Sequence, residues 1–143
     1  MTCINKCGNA CNGTLCLNIC ADSSASDLEP VAQVVHTLLG IPITMRSRNC
    51  NGIRMERGVV LDRDYTGPLL EEAIKTSKIV RGVPTEGVYK GKSVIVTPIR
   101  TLEGNTIGAI GVVDIVAALD ILSMFKEYPG IVDEVEESRK RLK

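Results

Sequence analysis

The sequence is poor in the residues on which many catalytic and nucleic-acid-binding proteins depend. Its 143 residues include one Phe, three Tyr, no Trp and a single His. So few aromatic side chains disfavour base stacking. The 17 basic and 17 acidic residues balance, so the basic excess typical of nucleic-acid-binding proteins is missing. We therefore expect no nucleic-acid partner.

Long apolar runs are also missing. The least polar stretch, residues 105–125, is interrupted by Asp114 and Asp120, and a charge inside a membrane is costly. The N-terminus has no apolar core of signal-peptide length. We expect a cytoplasmic protein with no membrane partner.

The common catalytic motifs are not found either. The sequence contains no G-x-S-x-G elbow, no H-E-x-x-H pair and no dinucleotide-binding fingerprint. His36 lies beside the apolar stripe of a predicted helix, where a lone histidine is more often packed or partly exposed than catalytic. Cys50 falls on a predicted hairpin turn, and nothing in the sequence places His36 near it. An enzyme is therefore the third of our functional hypotheses.

Cysteines are abundant and unevenly placed. One falls at position 50, and the other five lie in a predicted tail of residues 1–21: Cys3, Cys7, Cys11, Cys16 and Cys20. Disulfides seldom persist in a reducing cytoplasm, so zinc or an iron–sulfur cluster is the alternative, because both take thiolate ligands. The usual C-x2-C knuckle is missing, which leaves a flexible thiol-rich tail as the other interpretation. If metal binds, replacing Cys7 and Cys11 by Ser should remove it.

Two helices are predicted in the first half of the chain. Residues 23–40 carry apolar side chains at helical spacing, with Ser26 and Glu29 as a capping box at the start. A second helix starts at Thr66-Gly67, where Pro68 suits the first helical position, and runs to about residue 78.

Five strands are predicted. The Asn51-Gly52 pair indicates a hairpin between residues 41–48 and 53–61, and residues 62–64 read as a turn. A short strand at residues 79–83 precedes a second hairpin, formed by residues 94–100 and 106–114. Gly108 and Gly111 interrupt the last strand. Their presence indicates either close packing of a helix on the sheet or a floor beneath a small ligand.

The first hairpin brings several arginines together: Arg46, Arg48, Arg54 and Arg57. They are either the solvated face of an edge hairpin or a site for a carboxylate or phosphate, because guanidinium groups bind such anions with two hydrogen bonds.

These elements predict an α+β domain over residues 22–127, with helices on one face of a five-stranded antiparallel sheet. Residues 128–143 are predicted to include a charged C-terminal helix, which either is solvated or pairs with a second copy of the chain.

A family resemblance accompanies this fold. One segment resembles the closing strands of PAS, GAF and Cache sensors, to which profilin-like domains are related. It consists of Pro98-Ile99-Arg100, a hairpin and residues 107–114 (IGAIGVVD). More closely, about two thirds of the chain resembles an uncharacterised family of archaeal proteins known mainly from methanogens. The matching phrases are residues 24–30 (SASDLEP), 44–47 (TMRS), 65–68 (YTGP), 87–91 (GVYKG) and 98–100 (PIR).

Two functional hypotheses follow. The first is a sensing module that binds a small, anionic ligand between the sheet and the helix of residues 66–78, and that signals through a protein partner or a homodimer. Its expected ligand-binding residues are Arg46, Arg54, Tyr65, Thr66 and Arg100. The second is a metal or iron–sulfur protein that uses the N-terminal cysteines for redox transfer or metal delivery.

Overall fold

The strands within residues 17–114 form one antiparallel sheet. The computed structural model describes residues 17–114 and 137–141, and the chain divides into two compact units, Met1–Val113 and Asp114–Lys143. In the first unit, six strands lie in the order β3-β2-β1-β6-β5-β4. Their bounds are β1 Ile43–Ser47, β2 Gly52–Glu56, β3 Val59–Tyr65, β4 Val80–Gly82, β5 Val94–Arg100 and β6 Thr106–Val113. The α+β class is confirmed, and the domain boundaries expected from the sequence remain predictions.

The prediction of five strands was wrong by one. Residues 53–61, taken as a single strand, contain the turn between β2 and β3, and residues 62–64, taken as a turn, lie in β3. Arg57 and Gly58 both have positive φ angles, 52° and 80°, as the tightest hairpin turns require. An Arg-Gly pair is a much weaker turn signal than Asn-Gly, so the sequence did not reveal this hairpin.

Helix α1, Ala25–Leu39, precedes the sheet and lies within the predicted range of residues 23–40. Its N-cap is Ser24, whose hydroxyl accepts from the Asp27 amide while the Asp27 carboxylate accepts from the Ser24 amide. The capping box is therefore Ser24 with Asp27, not Ser26 with Glu29. Gly40 ends the helix in the left-handed conformation, as predicted.

The helical spacing predicted that Val34 and Leu38 belong to the apolar stripe of α1, but the buried face of the helix leaves both out. Small residues lie against the sheet beside Leu28, whereas Val34 and Leu38 are 58% and 79% exposed. His36, only 6% exposed, belongs to the buried face. Its Nδ1 lies 2.7 Å from the carbonyl oxygen of Ile41, and its Nε2 accepts a 2.8 Å hydrogen bond from the Gly58 amide. His36 is therefore a packed residue that ties α1 to the β2–β3 turn.

Helix α2, Pro68–Thr76, agrees well with the prediction. Gly67 is its N-cap, Pro68 occupies the first turn, and Ser77 ends it in the left-handed conformation. Leu70 and Ala73 form its buried face.

The two helices cover opposite faces of the sheet, not one face as predicted. Side chains alternate along each strand, so Ile43 and Met45 pack under α1, while Thr44 and Arg46 point to the other side. On that side α2 packs on β5 and β6, where Val96 and Ala109 meet its apolar residues. We call the two sides the α1 face and the α2 face.

The glycines of β6 allow neighbouring strands to approach closely. A methyl group on Gly108 would lie 2.5 Å from the carbonyl oxygen of Arg46, and one on Gly111 would lie 2.8 Å from a methyl group of Val96. Both glycines are therefore required by close neighbours on adjacent strands, and neither contact is with a helix.

The described part of the second unit is short. Residues 137–141 are helical and exposed, and the rest of the predicted C-terminal segment, residues 128–143, lies outside the described residues. The apolar helix expected at residues 115–125 lies outside the described residues. Among the helices of the described segments, none combines the length and apolar character needed to span a membrane.

Candidate functional site

A groove opens on the α2 face between the end of β1 and helix α2. Its volume is about 250 Å³, which is room for a small ion or metabolite. Five residues line it, and we call it the basic groove because three of them are cationic: Arg46, Arg48, Glu71, Ile74 and Lys75. Glu71 and Lys75 are one helical turn apart on α2, so they face the groove together.

Arg46 is the most firmly held of these residues. Its Nε donates to the carbonyl oxygen of Ser47 at 2.9 Å, Nη1 donates to the Thr66 hydroxyl at 2.7 Å, and Nη2 lies 3.3 Å from the carbonyl oxygen of Arg48. Its side chain is only 11% exposed. The three acceptors are neutral, so they fix the position of the guanidinium without cancelling its charge.

The groove has more positive than negative charge. Glu71 is the only acid in its lining, and its Oε1 lies 3.5 Å from Nη1 of Arg46. Arg48 donates to the carbonyl oxygen of Thr106 at 3.2 Å. Within residues 17–114, neither Arg48 nor Lys75 forms an ion pair.

Arg100 lies close to the far end of this groove. Its guanidinium donates to the carbonyl oxygen of Ser77, and the Ser77 hydroxyl contacts that of Thr106, the residue whose carbonyl accepts from Arg48. Four cations thus follow one another along this end of the α2 face, with a single carboxylate among them.

A second polar group lies farther along the same face, and we call it the tyrosine cluster: Arg54, Glu56, Tyr65 and Tyr89. The Tyr89 hydroxyl donates to Oε1 of Glu56 at 2.7 Å, and Nη1 of Arg54 lies 3.0 Å from the same oxygen. The two tyrosine rings meet edge to face, with centroids 6.5 Å apart. Both tyrosines are more than nine-tenths buried.

This contact network shifts the protonation equilibria of the cluster. The hydrogen bond from Tyr89, against the opposing effect of burial, lowers the pKa of Glu56, and the charge of Arg54 lowers it further. Burial and the bond to Glu56 raise the pKa of Tyr89, and burial raises that of Tyr65. Burial lowers the pKa of Arg54, but its contacts with Tyr89 and Glu56 raise that pKa by more, so the net shift is upward. Arg54 and Glu56 are therefore charged, and both phenols are neutral, at pH 7.

The space beside the tyrosine cluster is small. Two cavities touch the Tyr89 ring and the Thr44 side chain, with volumes of about 20 Å³ and about 10 Å³. Each is close to the minimum needed for one water molecule, roughly 10–15 Å³. A ligand larger than water therefore fits the basic groove and not these cavities.

The five residues predicted to bind an anionic ligand fall into two groups. Arg46 and Thr66 are hydrogen-bonded to each other at the groove, and Arg100 lies beyond its far end. Arg54 and Tyr65 belong instead to the tyrosine cluster, where Arg54 is already paired with Glu56. The structure thus divides between two places the residues that the sequence assigned to one.

Sequence reasoning missed three groups: Glu71 and Lys75 in the groove, and the Glu56–Tyr89 pair in the cluster. The i,i+4 spacing of Glu71 and Lys75 on a well-predicted helix was a usable signal for the first two. The contact between Glu56 and Tyr89 joins residues 33 positions apart, so no local pattern could have indicated it.

The cysteine hypothesis lies largely beyond the described residues, since Cys3, Cys7, Cys11 and Cys16 precede residue 17. Between residues 17 and 114, and in 137–141, no three His, Cys, Asp or Glu side chains come together in a way that could hold a metal ion. Zinc or iron–sulfur binding therefore remains a prediction.

The structure does place Cys50 beside the start of the domain. Its thiol donates to the carbonyl oxygen of Asp22 at 3.6 Å, and the Asp22 amide lies 3.4 Å from the sulfur of Cys20. The buried Ser47 hydroxyl holds the same segment by donating to the carbonyl oxygen of Ser23 at 2.7 Å. The end of the cysteine-rich segment is thus anchored on the β1–β2 link, a long-range contact that the sequence did not show.

Comparison with known proteins identifies relatives of the chain. Residues 35–116, more than half of it, match the model of a family described as an uncharacterized protein conserved in archaea (DUF2111). An uncharacterized protein of Methanocaldococcus jannaschii is 45% identical over 104 residues, which cover 72% of this chain and 79% of that protein. No solved structure matches the chain significantly. The resemblance to an archaeal family is thereby confirmed, and the chain belongs to the DUF2111 family of uncharacterized proteins conserved in archaea.

Proposed function

We propose that the protein is a PAS-like sensing module that binds a small anion, a carboxylate or a phosphate, in the basic groove. The observation that carries this proposal is the state of Arg46. Its guanidinium is 11% exposed, is fixed by three neutral oxygen acceptors, and has only the exposed carboxylate of Glu71 nearby. A positive charge that has lost most of its water is stabilised by an anion, and a guanidinium fork fits carboxylate and phosphate oxygens.

The surroundings of Arg46 also favour an anionic ligand. Arg48 and Lys75 add two positive charges that are not paired with acids in the described part of the chain, and Ile74 offers an apolar contact. The groove is open to solvent at a volume of about 250 Å³, so a small anion can enter without displacing the core.

The test is isothermal titration of the full chain with inorganic phosphate and with malonate at fixed ionic strength. We expect both anions to bind, and a ligand at 100 times its dissociation constant to stabilise the fold by about 2.7 kcal/mol in thermal unfolding. Lys75→Met should weaken binding about fivefold, because one charge pair at close range in a solvated groove contributes about 1 kcal/mol.

Lys90→Met is the matched control, since Lys90 lies in the β4–β5 loop and does not line the groove. It removes the same charge and should leave the affinity nearly unchanged. If neither anion binds, or if the two lysine variants weaken binding equally, the groove is not the anion site.

A sensing module also needs an output, which we assign to the second unit of the chain, acting on a protein partner or on a second copy. Residues 137–141 are helical and exposed, and Glu137 and Arg141 have the spacing of an intrahelical charge pair. Analytical ultracentrifugation with and without phosphate should show whether anion binding changes the association state. An unchanged monomer under both conditions would exclude the homodimer and leave a partner protein.

A further inference from the structure

Glu71 is the one lining residue of the basic groove whose charge opposes the proposed ligand. Its Oε1 lies 3.5 Å from Nη1 of Arg46 and accepts from the Thr66 hydroxyl at 3.3 Å. A ligand anion that bound Arg46 would therefore meet a carboxylate already in place.

Arg46 is held much more firmly than Glu71, the residue that it contacts. Arg46 is 11% exposed and keeps three hydrogen bonds that do not involve Glu71, whereas the Glu71 side chain is 59% exposed. Both contacts of the Glu71 carboxylate are long for charge-assisted hydrogen bonds, which are usually about 2.7–2.9 Å. Glu71 can consequently turn into solvent without disturbing Arg46, because its exposed side chain is held only weakly.

We propose that Glu71 is a displaceable counterion that pairs with Arg46 in the empty groove and is replaced there by the anionic group of the ligand. This inference rests on the proposed function and names the ligand class, because displacement favours a dianion over a monoanion. A dianion such as a phosphate group or a short dicarboxylate reaches Arg46 and also Arg48 or Lys75. A monoanion such as acetate only exchanges one carboxylate for another.

Glu71→Gln tests the proposal, because the amide keeps the shape of the side chain and an oxygen for the Thr66 hydroxyl. We expect inorganic phosphate, studied at a pH of about 8 where it is a dianion, to bind roughly tenfold more tightly to this variant. The affinity for acetate should increase only about threefold, because repulsion from Glu71 scales with the charge of the ligand.

Glu72→Gln is the matched control. Glu72 is the next residue on α2, is exposed and does not line the groove. It removes the same charge from the same helix, and phosphate affinity should change by less than about twofold.

The possible outcomes separate this inference from the proposed function. If phosphate binds the wild type, and Glu71→Gln and Glu72→Gln change its affinity equally, the counterion role is refuted and the anion site stands. If phosphate binds none of the three proteins, both ideas fail. Glu71→Ala provides a second variant with the same expected direction, and circular dichroism verifies that each variant is folded.

Discussion

The hydrogen bond between Tyr89 and Glu56 allows the sharpest test of the described structure. Its donor and acceptor are 2.7 Å apart, and the Tyr89 side chain is buried on the α2 face. Tyr89→Phe removes the hydroxyl and keeps the ring, so the edge-to-face contact with Tyr65 is preserved and no large cavity forms. The free energy of unfolding should then report mainly the lost hydrogen bond.

The expected size of this effect follows from the acceptor. A hydrogen bond to a charged group contributes about 1.5–3 kcal/mol. The Glu56 side chain is 25% exposed and keeps its contact with Arg54, so water can partly replace the phenol. We therefore expect a loss of about 1.5–2 kcal/mol, which corresponds to a decrease in Tm of about 5 °C for a chain of this length.

The matched control is Tyr65→Phe. Tyr65 is equally buried, but its hydroxyl makes no hydrogen bond to any residue in the described segments. Its removal should change the free energy of unfolding by less than about 0.5 kcal/mol. Urea denaturation followed by circular dichroism measures both variants, and an unchanged slope with urea concentration validates the comparison.

The effect should also depend on pH in both directions. The pKa of Glu56 is lowered in the folded protein, so its contribution is present above the ordinary value of 4.5 and is lost as the pH falls through the folded value. The pKa of Tyr89 is raised, so its contribution is present below the ordinary value of 10.0 and is lost as the pH rises above it. The difference between wild type and Tyr89→Phe should be largest between these limits.

Two results would refute this reasoning. One is a decrease in the free energy of unfolding for Tyr89→Phe at pH 7 that does not exceed the decrease for Tyr65→Phe. The other is a difference between wild type and Tyr89→Phe that stays unchanged as the pH is lowered from 7 through the folded pKa of Glu56.

Two further predictions concern the scaffold. His36→Ala should lower the free energy of unfolding by about 2–3 kcal/mol, because it removes a buried ring that accepts a hydrogen bond from the Gly58 amide. Urea denaturation measures this change, and a decrease near zero would contradict the packed role of His36. Gly108→Ala should cost about 3 kcal/mol, because its methyl group would meet backbone at 2.5 Å, whereas Gly82→Ala, with its nearest neighbour at 4.0 Å, should be tolerated. Equal melting temperatures for the two alanine variants would show that β6 does not approach β1 as described.

The sequence by itself determined the elements whose signals are local. The start of α2 at Gly67-Pro68 and the Gly40 stop of α1 follow from backbone preferences of single residues. The β1–β2 hairpin also forms where Asn51-Gly52 predicted it, although Gly52 lies within β2 and not in the turn. Family membership was likewise evident from short phrases, since such phrases do not depend on the fold.

Tertiary structure decided which residues share a site and which faces are buried. Arg46 and Arg54 lie on the same hairpin, yet one meets Thr66 and Glu71 while the other meets Glu56 and Tyr89, because α2 and the β4–β5 loop cover different parts of the sheet. His36 was packed because the β2–β3 turn, which the sequence did not reveal, placed the Gly58 amide against its ring. Contacts between residues 20 or more positions apart depend on strand register and helix placement, and no local periodicity encodes them.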